Sequence, residues 1–119
     1  MKLANVIVLV SDLERSANFY GETLGLKETG RVPGEFVFFD AGGPSLAIRK
    51  TGSEPSAGTT ELSFEVPDIL AAYDLLRAKV AFRVAPRAVT GNKTHDLYAT
   101  DFRDPDGNLL SITGWVKKR

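Results

Sequence analysis

The sequence contains no cysteine and only one histidine, His95. The absence of cysteine excludes disulfide scaffolds, zinc fingers, iron–sulfur clusters and cysteine nucleophiles, and a lone histidine excludes multi-histidine metal centres. A chain of 119 residues hides roughly two thirds of its unfolded surface on folding, so it can build a core without a disulfide or a structural metal. Composition therefore predicts one globular domain over residues 1–119.

The sequence also lacks an excess of either charge and any long hydrophobic run. Fifteen Lys and Arg residues balance fifteen Asp and Glu residues, so we expect no nucleic-acid partner. No segment approaches the roughly 18 consecutive apolar residues that cross a bilayer, and the N-terminus has no signal-peptide pattern. We therefore expect no membrane partner and a cytoplasmic location.

Hydrophobic periodicity predicts two helices and eight strands. Alternating apolar residues predict a first strand over 3–10. A helix over 12–24 is predicted to begin at a Ser11-x-x-Glu14 capping box and to stop at Gly25, with an apolar stripe of Leu13, Ala17, Tyr20 and Leu24. Asp68 can cap a second helix over 68–79. The remaining predicted strands lie near 26–32, 35–40, 45–50, 61–66, 81–85, 95–102 and 108–115.

The two halves of the chain repeat one another. An offset of 64 residues superimposes Phe38-x-Asp40-x-x-Gly43-x-x-Leu46-x-Ile48 on Phe102-x-Asp104-x-x-Gly107-x-x-Leu110-x-Ile112, with five identities. In each half, Asp and Gly favour a hairpin turn, and Leu and Ile face one side of the returning strand. The sequence therefore predicts an α+β fold of two tandem βαβββ modules, at about 1–51 and about 61–115, joined by a linker at 52–60.

Three segments carry a resemblance to a known family. Residues 8–20, 24–26 and 104–112 resemble the vicinal oxygen chelate superfamily, which includes glyoxalase I, bleomycin resistance proteins and extradiol dioxygenases. The resemblance implies curved mixed sheets that form one cleft, with the helices on the outside, and a homodimer. If the chain is an enzyme, the resemblance implies a glyoxalase-like lyase or a dioxygenase relative.

The resemblance also implies four metal-binding positions, one on the first and one on the last strand of each module. In this sequence those positions hold Asn5, Ala47, Glu61 and Ser111. Alanine offers no ligand atom, asparagine and serine offer weak neutral oxygens, and only Glu61 is a good ligand for a divalent ion. We therefore expect no metal ion and no other cofactor.

Strand alternation predicts which side chains face the cleft. Pairing the last two strands about the turn at 104–107 sets Thr100 opposite Ser111 and Tyr98 opposite Thr113, and directs His95 away from the cleft. The predicted ligand-binding residues are Asn5, Ile7, Phe36, Phe38, Arg49, Glu61, Ser63, Tyr98, Thr100, Phe102, Ser111 and Thr113.

The mixture of charged and aromatic residues on this face favours a small-molecule pocket. A carboxylate at Glu61, partly buried among aromatic residues, would have a raised proton affinity and could act as a general base. Arg49 could bind a carboxylate or a phosphate. The alternative is that Arg49 and Glu61 pair with each other and that the phenylalanines belong to the core.

Three functions stay open on the sequence alone. The first is a protein without the family metal centre that binds a small organic molecule in the cleft. The second is a glyoxalase-like lyase or isomerase that uses Glu61 as a base or within an atypical metal site. The third is a non-catalytic dimerising module whose cleft is filled by its own side chains.

Overall fold

The structure, a computed structural model, describes residues 3–51 and 61–119, and the predicted linker at 52–60 lies outside these residues. The described chain divides into two compact units, one on each side of that segment. Each unit contains one helical segment followed by three strands, with one strand before the helix. The predicted α+β fold of two tandem βαβββ modules is confirmed.

Each unit begins with a strand and a helix and ends with a three-stranded meander. The first unit contains β1 (Asn5–Val10), α1 (Leu13–Asn18), a π-helical turn (Phe19–Thr23), β2 (Lys27–Val32), β3 (Phe36–Asp40) and β4 (Ser45–Lys50). The second contains β5 (Glu61–Glu65), α2 (Ile69–Leu76), β6 (Arg87–Gly91), β7 (His95–Arg103) and β8 (Leu109–Lys117). Within the described residues, no helix combines the length and the apolar character needed to span a membrane.

The two sheets have the same topology. Their strand orders are β1-β4-β3-β2 and β5-β8-β7-β6. The first strand of each unit pairs in parallel with the last, and the other pairs are antiparallel. Asn5 pairs with Ser45 and Glu61 pairs with Leu109, so the two parallel registers match when the first strands are offset by 56 residues and the last strands by the 64 residues of the repeat. Each sheet is mixed because the helix carries the chain back to begin the meander.

Asp12, and not Ser11, caps α1. The Asp12 carboxylate accepts a hydrogen bond from the backbone N–H of Arg15 at 3.1 Å. The predicted capping box is therefore wrong by one position, because the helix begins at Leu13. Of the predicted apolar stripe, Leu13, Ala17 and Tyr20 are buried and Leu24 is half-buried.

The end of the first helical segment is wider than an α-helix. The backbone N–H of Leu24 donates to the carbonyl of Phe19, five residues earlier, at 3.0 Å. Gly25 then takes a φ of +77°, the left-handed conformation that commonly follows a helix end. The predicted stop at Gly25 is confirmed.

In the second unit, α2 lies close against β8. The Asp68 carboxylate accepts from the backbone N–H of Ala71 at 3.1 Å, as predicted, although the helix ends at Leu76 and not at 79. Ile69 is 1% exposed, and a Cβ atom at position 114 would lie 2.9 Å from the Cβ of Ile69. Gly114 therefore permits the helix to approach the strand, since any larger residue there would overlap with Ile69.

The predicted strand at 81–85 is wrong, and the edge strand β6 begins at Arg87 instead. The alternation in this segment has another cause. The ring of Phe82 packs between those of Tyr73 and Phe102, with centroid distances of 4.7 and 5.3 Å. Pro86 separates the segment from β6, where proline is expected at a strand edge or before a strand start.

The β7–β8 pairing differs by one residue from the predicted pairing. Asp101, and not Thr100, lies opposite Ser111, and Ala99, and not Tyr98, lies opposite Thr113. Because side chains alternate between faces, a one-residue difference places every β7 side chain on the face opposite to the one predicted.

The pairing of β3 with β4 and that of β7 with β8 differ from each other by the same one-residue shift in register. Phe38 pairs with Ala47, and Phe39 pairs with Leu46 on the helix side, where Phe39 is 1% exposed. In the 64-residue repeat, the residue equivalent to Phe39 is Arg103. On the helix side of the second sheet, the charge of Arg103 would be buried without a partner. In the second unit Phe102 therefore takes the helix-side place opposite Leu110, and Arg103 is exposed.

Candidate functional site

The first unit has an open sheet face that is largely apolar. Register places Asn5, Ile7, Phe36, Phe38, Ala47, Arg49 and Leu9 on this face, as predicted. Ile7 and Leu9 are 49% and 43% exposed. The sharing of one face by these residues is confirmed, and their role in binding a ligand stays a prediction.

Phe36 lies opposite Arg49, at the charged end of this face. Its ring stacks on that of Phe38 at 5.6 Å, and the Arg49 guanidinium lies 5.5 Å from the Phe36 centroid. A hollow of about 220 Å³ beside Phe36 is lined by Gly34, Glu35, Phe36, Arg49, Lys50 and Thr51. This hollow is small and cationic, because Arg49 and Lys50 outweigh the single Glu35.

The open face of the second unit is polar. Ser63 pairs with Ser111, which pairs with Asp101, and Thr113 lies between Glu65 and Ala99 in the next row. The opposite face carries Leu62, Phe64, Leu110, Ile112 and Phe102, as expected of a surface covered by α2. The two faces of one sheet therefore differ completely in chemical character.

A hollow of about 260 Å³ lies on the polar face. It is lined by Glu61, Ser63, Arg83, Val84, Arg87, Val89, Ala99, Thr100, Asp101, Ser111 and Thr113. The hydroxyls of Ser63, Ser111 and Thr113 have no hydrogen-bond partner among the described residues, and Glu61 is exposed and makes no ion pair with them. These groups are available to a ligand, and we take this hollow as the candidate functional site.

One ion pair fixes the β7 side of the hollow. The Arg83 guanidinium donates two hydrogen bonds to the Asp101 carboxylate, at 2.8 and 3.1 Å. These hydrogen bonds hold the pKa of the Asp101 carboxyl below its ordinary value, and the pairing raises the pKa of Arg83. Asp101 is therefore a carboxylate that positions Arg83, with its charge already neutralised.

Three predicted site residues lie on the other face of the sheet. Tyr98, Thr100 and Phe102 pair with Gly114, Ile112 and Leu110. Thr100 borders the hollow, but it is 3% exposed and its hydroxyl donates to the carbonyl of Val84. The prediction that these side chains face the cleft is wrong, because it depended on the displaced β7 register. Glu61 consequently has no aromatic neighbour from β7 and is not buried.

The predicted direction of His95 is also wrong. His95 pairs with Lys117, so it shares the face of Ser111. The two residues are nevertheless separated by six positions along the strands, roughly 20 Å at about 3.3 Å per residue. The His95 ring nitrogen Nδ1 lies 2.9 Å from the hydroxyl of Thr94. His95 is not among the residues that line the hollow.

The residues at the four family metal positions do not fit a divalent centre. Ala47 is fully buried and has no ligand atom, and Asn5 is an exposed neutral amide. In the other unit, Glu61 and Ser111 share a face but supply one charged oxygen donor and one weak donor. Residues 3–51 and 61–119 contain no group of three or more His, Asp or Glu residues that could hold a metal.

Sequence reasoning missed Arg83, Arg87 and Asp101. The signal that could have identified them is Arg103, which stands where the repeat places the helix-facing Phe39. A charged residue at a core position indicates that the strand has slipped by one residue. That slip places Asp101 on the open face, with the segment before β6 beside it.

Comparison with known proteins gives consistent matches over nearly the whole chain. Residues 2–112 match the family model of the Glyoxalase/Bleomycin resistance protein/Dioxygenase superfamily. The chain is 31% identical to the uncharacterized protein YraH of Bacillus subtilis (strain 168), with 94% of this chain and 97% of that protein covered. It is 27% identical to the virulence protein STM3117 of Salmonella typhimurium, with 97% and 85% covered.

The fold is likewise similar to that of solved structures. The crystal structure of a glyoxalase/bleomycin resistance protein/dioxygenase from Nocardioides matches with a TM-score of 0.78 and 26% identity. The match covers 98% of this chain and 84% of that one. The described sheets and the sequence matches thus indicate the same family.

Proposed function

Because the chain belongs to the Glyoxalase/Bleomycin resistance protein/Dioxygenase superfamily, we propose that it binds a small organic molecule without a resident metal ion. The binding surface is the open face of the second sheet. The observation that carries this proposal is that three hydroxyls without a partner among the described residues line one hollow, those of Ser63, Ser111 and Thr113. Its volume of about 260 Å³ equals that of about nine waters at roughly 30 Å³ each.

The donor chemistry supports binding that is independent of metal. Ala47 cannot coordinate an ion, and Glu61 and Ser111 together are a poor donor set for a divalent ion. Hydroxyls on a sheet are held by the backbone and need no ion to orient them. They can donate to and accept from hydroxyl, carbonyl or amine groups of a ligand.

The test combines metal analysis with a small-molecule screen. The protein is purified without chelator, its bound metal is quantified, and a polar metabolite library is screened by thermal shift and ligand-observed NMR. We expect substoichiometric metal and at least one ligand that raises the melting temperature. Thr113→Val should weaken the binding of that ligand. The control Thr90→Val removes an exposed hydroxyl outside the hollow and should leave the affinity unchanged. One retained metal ion per chain at Glu61 would contradict the proposal.

A second candidate function is a lyase or isomerase that uses Glu61 as a general base. The observation in its favour is that Glu61 is exposed, lines the hollow and has no ion pair with any residue that the structure describes. A carboxylate in that position can remove a proton from a bound molecule within hydrogen-bond reach. Glu61→Gln should then abolish turnover of a ligand found in the screen while the ligand still binds. Equal rates of turnover in both proteins would exclude Glu61 as the base.

We also propose that the chain forms a homodimer and that it lies in the cytoplasm. The third candidate function is a dimerising module without catalytic activity. All residues of the edge strands β2 and β6 are exposed, and unpaired strand edges commonly pair with a second chain. Sedimentation equilibrium at micromolar concentration tests the assembly, and a 12.9 kDa species alone would contradict it. A fluorescent fusion tests the location. A dimer that no library member stabilises would favour the third candidate over the first.

A further inference from the structure

The hollow on the second sheet has opposite charges at its two sides. Glu61 lies on the edge strand β5, and Arg83 and Arg87 lie on or beside the opposite edge strand β6. The hydroxyls of Ser63, Ser111 and Thr113 lie on the strands between or next to them. The charged groups are therefore separated by a neutral, hydrogen-bonding floor.

We propose that the hollow selects a small hydroxylated zwitterion, with its cationic group at Glu61 and its anionic group at Arg87 and Arg83. This inference rests on the proposed function, because it names the class of ligand for the same hollow. A molecule with only one of the two charges would leave the opposite end of the hollow without a partner.

The ion pairs already present decide which charges are available. Arg83 and Asp101 are joined by two hydrogen bonds, so their charges largely cancel. Glu61 and Arg87 make no hydrogen bond or ion pair with any described residue. The lining is therefore neutral as a whole but dipolar, with one anion and one cation that have no partner among residues 3–51 and 61–119.

Arg87 is placed to act on a ligand and not on Asp101 alone. It pairs with Ala99, one row away from Asp101, and its charge contributes least among the causes that lower the pKa of the Asp101 carboxyl. A planar guanidinium without a partner can bind a carboxylate through two parallel hydrogen bonds. Arg83, held by Asp101, lines the same hollow.

The geometry sets the size of the ligand. Three strand spacings of about 4.8 Å separate the β5 and β6 backbones, or roughly 14 Å. Glu61 and Arg87 also lie four residues apart along the strands, since Arg87 is in the row of Glu65. The diagonal between the two backbone positions is about 19 Å. Extended glutamate and arginine side chains together cover more than half of that distance, so a ligand chain of about six carbons with charged ends matches the remainder.

Four probes with six-carbon chains separate the contributions of the charges and the hydroxyls. They are 6-amino-6-deoxygluconate, gluconate without the ammonium, glucamine without the carboxylate, and 6-aminohexanoate without the hydroxyls. Dissociation constants are measured by ligand-observed NMR at low salt. We expect 6-amino-6-deoxygluconate to bind about fivefold more tightly than gluconate or glucamine, the upper range for an exposed ion pair.

Variants assign each charge to its side chain. Glu61→Gln should remove the preference over gluconate, and Arg87→Gln should remove the preference over glucamine. Both side chains are exposed, so both variants should keep the melting temperature of the parent protein. The controls are Glu65→Gln, on the same strand and face but outside the lining, and Arg77→Gln on α2. Both controls should retain both preferences.

The outcomes distinguish this inference from the proposed function. Gluconate or glucamine binding as tightly as the zwitterion would overturn the zwitterion inference, while Thr113-dependent binding would leave the proposed function intact. A preference over gluconate that survives in Glu61→Gln, or is lost equally in Glu65→Gln, would also overturn the inference. If no probe and no library member binds, both proposals fail.

Discussion

Replacing two equivalent phenylalanines should have very different effects on stability. Phe38 and Phe102 occupy the same place in the 64-residue repeat. Phe102 is 2% exposed, and its ring packs edge-on against that of Phe82 at 5.3 Å. Phe38 lies half-buried on the open face of its sheet, stacked on Phe36. The one-residue difference in register places one ring in a core and the other on a surface.

The magnitudes follow from burial. Truncating a fully buried phenylalanine to alanine costs about 3–5 kcal/mol, because it loses the transfer free energy and leaves a cavity. Truncating a half-buried ring removes part of that apolar area and one aromatic contact, about 1–2 kcal/mol. Phe102→Ala should therefore lower the free energy of unfolding by roughly 2 kcal/mol more than Phe38→Ala does.

Urea unfolding measures both losses. Far-UV circular dichroism follows both units, and the fluorescence of Trp115, the single tryptophan, follows the second unit. Free energies are compared at matched m-values, since a changed slope would indicate a changed unfolded state. Equal losses in the two variants, or a larger loss in Phe38→Ala, would refute the slipped register of β7.

Three further predictions concern the second unit. The Asp104 carboxylate accepts hydrogen bonds from the backbone N–H groups of Asp106 and Asn108 at 2.9 and 2.8 Å. Asp104→Ala should therefore lower the free energy of unfolding in urea by about 2 kcal/mol. An equal loss in Asp40→Ala, at the exposed equivalent position, would contradict this reasoning. Gly114→Ala should lower the free energy of unfolding by about 1–3 kcal/mol, because the added Cβ overlaps with Ile69. Gly43→Ala, whose added Cβ has no atom within 4 Å, should change the free energy of unfolding by no more than about 0.5 kcal/mol. Because Arg83 lowers the pKa of the Asp101 carboxyl, the stabilisation is present above about pH 4 and is lost as the pH falls. Asp101→Asn should therefore flatten the loss of stability below about pH 4, and an unchanged slope there would show that the ion pair contributes nothing.

The sequence was sufficient where local pattern and long-range packing agree. The spacing of Leu13, Ala17 and Tyr20 predicted the buried stripe of the first helical segment, and all three residues are buried. The repeat predicted two βαβββ modules, and the two sheets have the same topology. In both cases one face of an element must be apolar, so the pattern alone determines its orientation.

The sequence was insufficient where two arrangements satisfy the same pattern. Residues 81–85 alternate like a strand, but Phe82 is held by the rings of Tyr73 and Phe102 from other elements. In β7, Tyr98, Thr100 and Phe102 could occupy either face, and only the need to keep Arg103 out of the core decides between them. That decision depends on the packing of α2, which is not visible in the strand itself.

The slip between β3 and β7 has a consequence for how duplicated genes diverge. The two hairpin motifs have equal length, so no insertion or deletion separates them; one exchange between a phenylalanine and an arginine accompanies the change of partner along the whole strand. A shift of one residue in register can thus exchange the residues on the two faces of a strand without any change in length. It also follows that aligning the two copies letter by letter pairs Phe38 with Phe102, whereas the residue that shares its place on the open surface is Asp101.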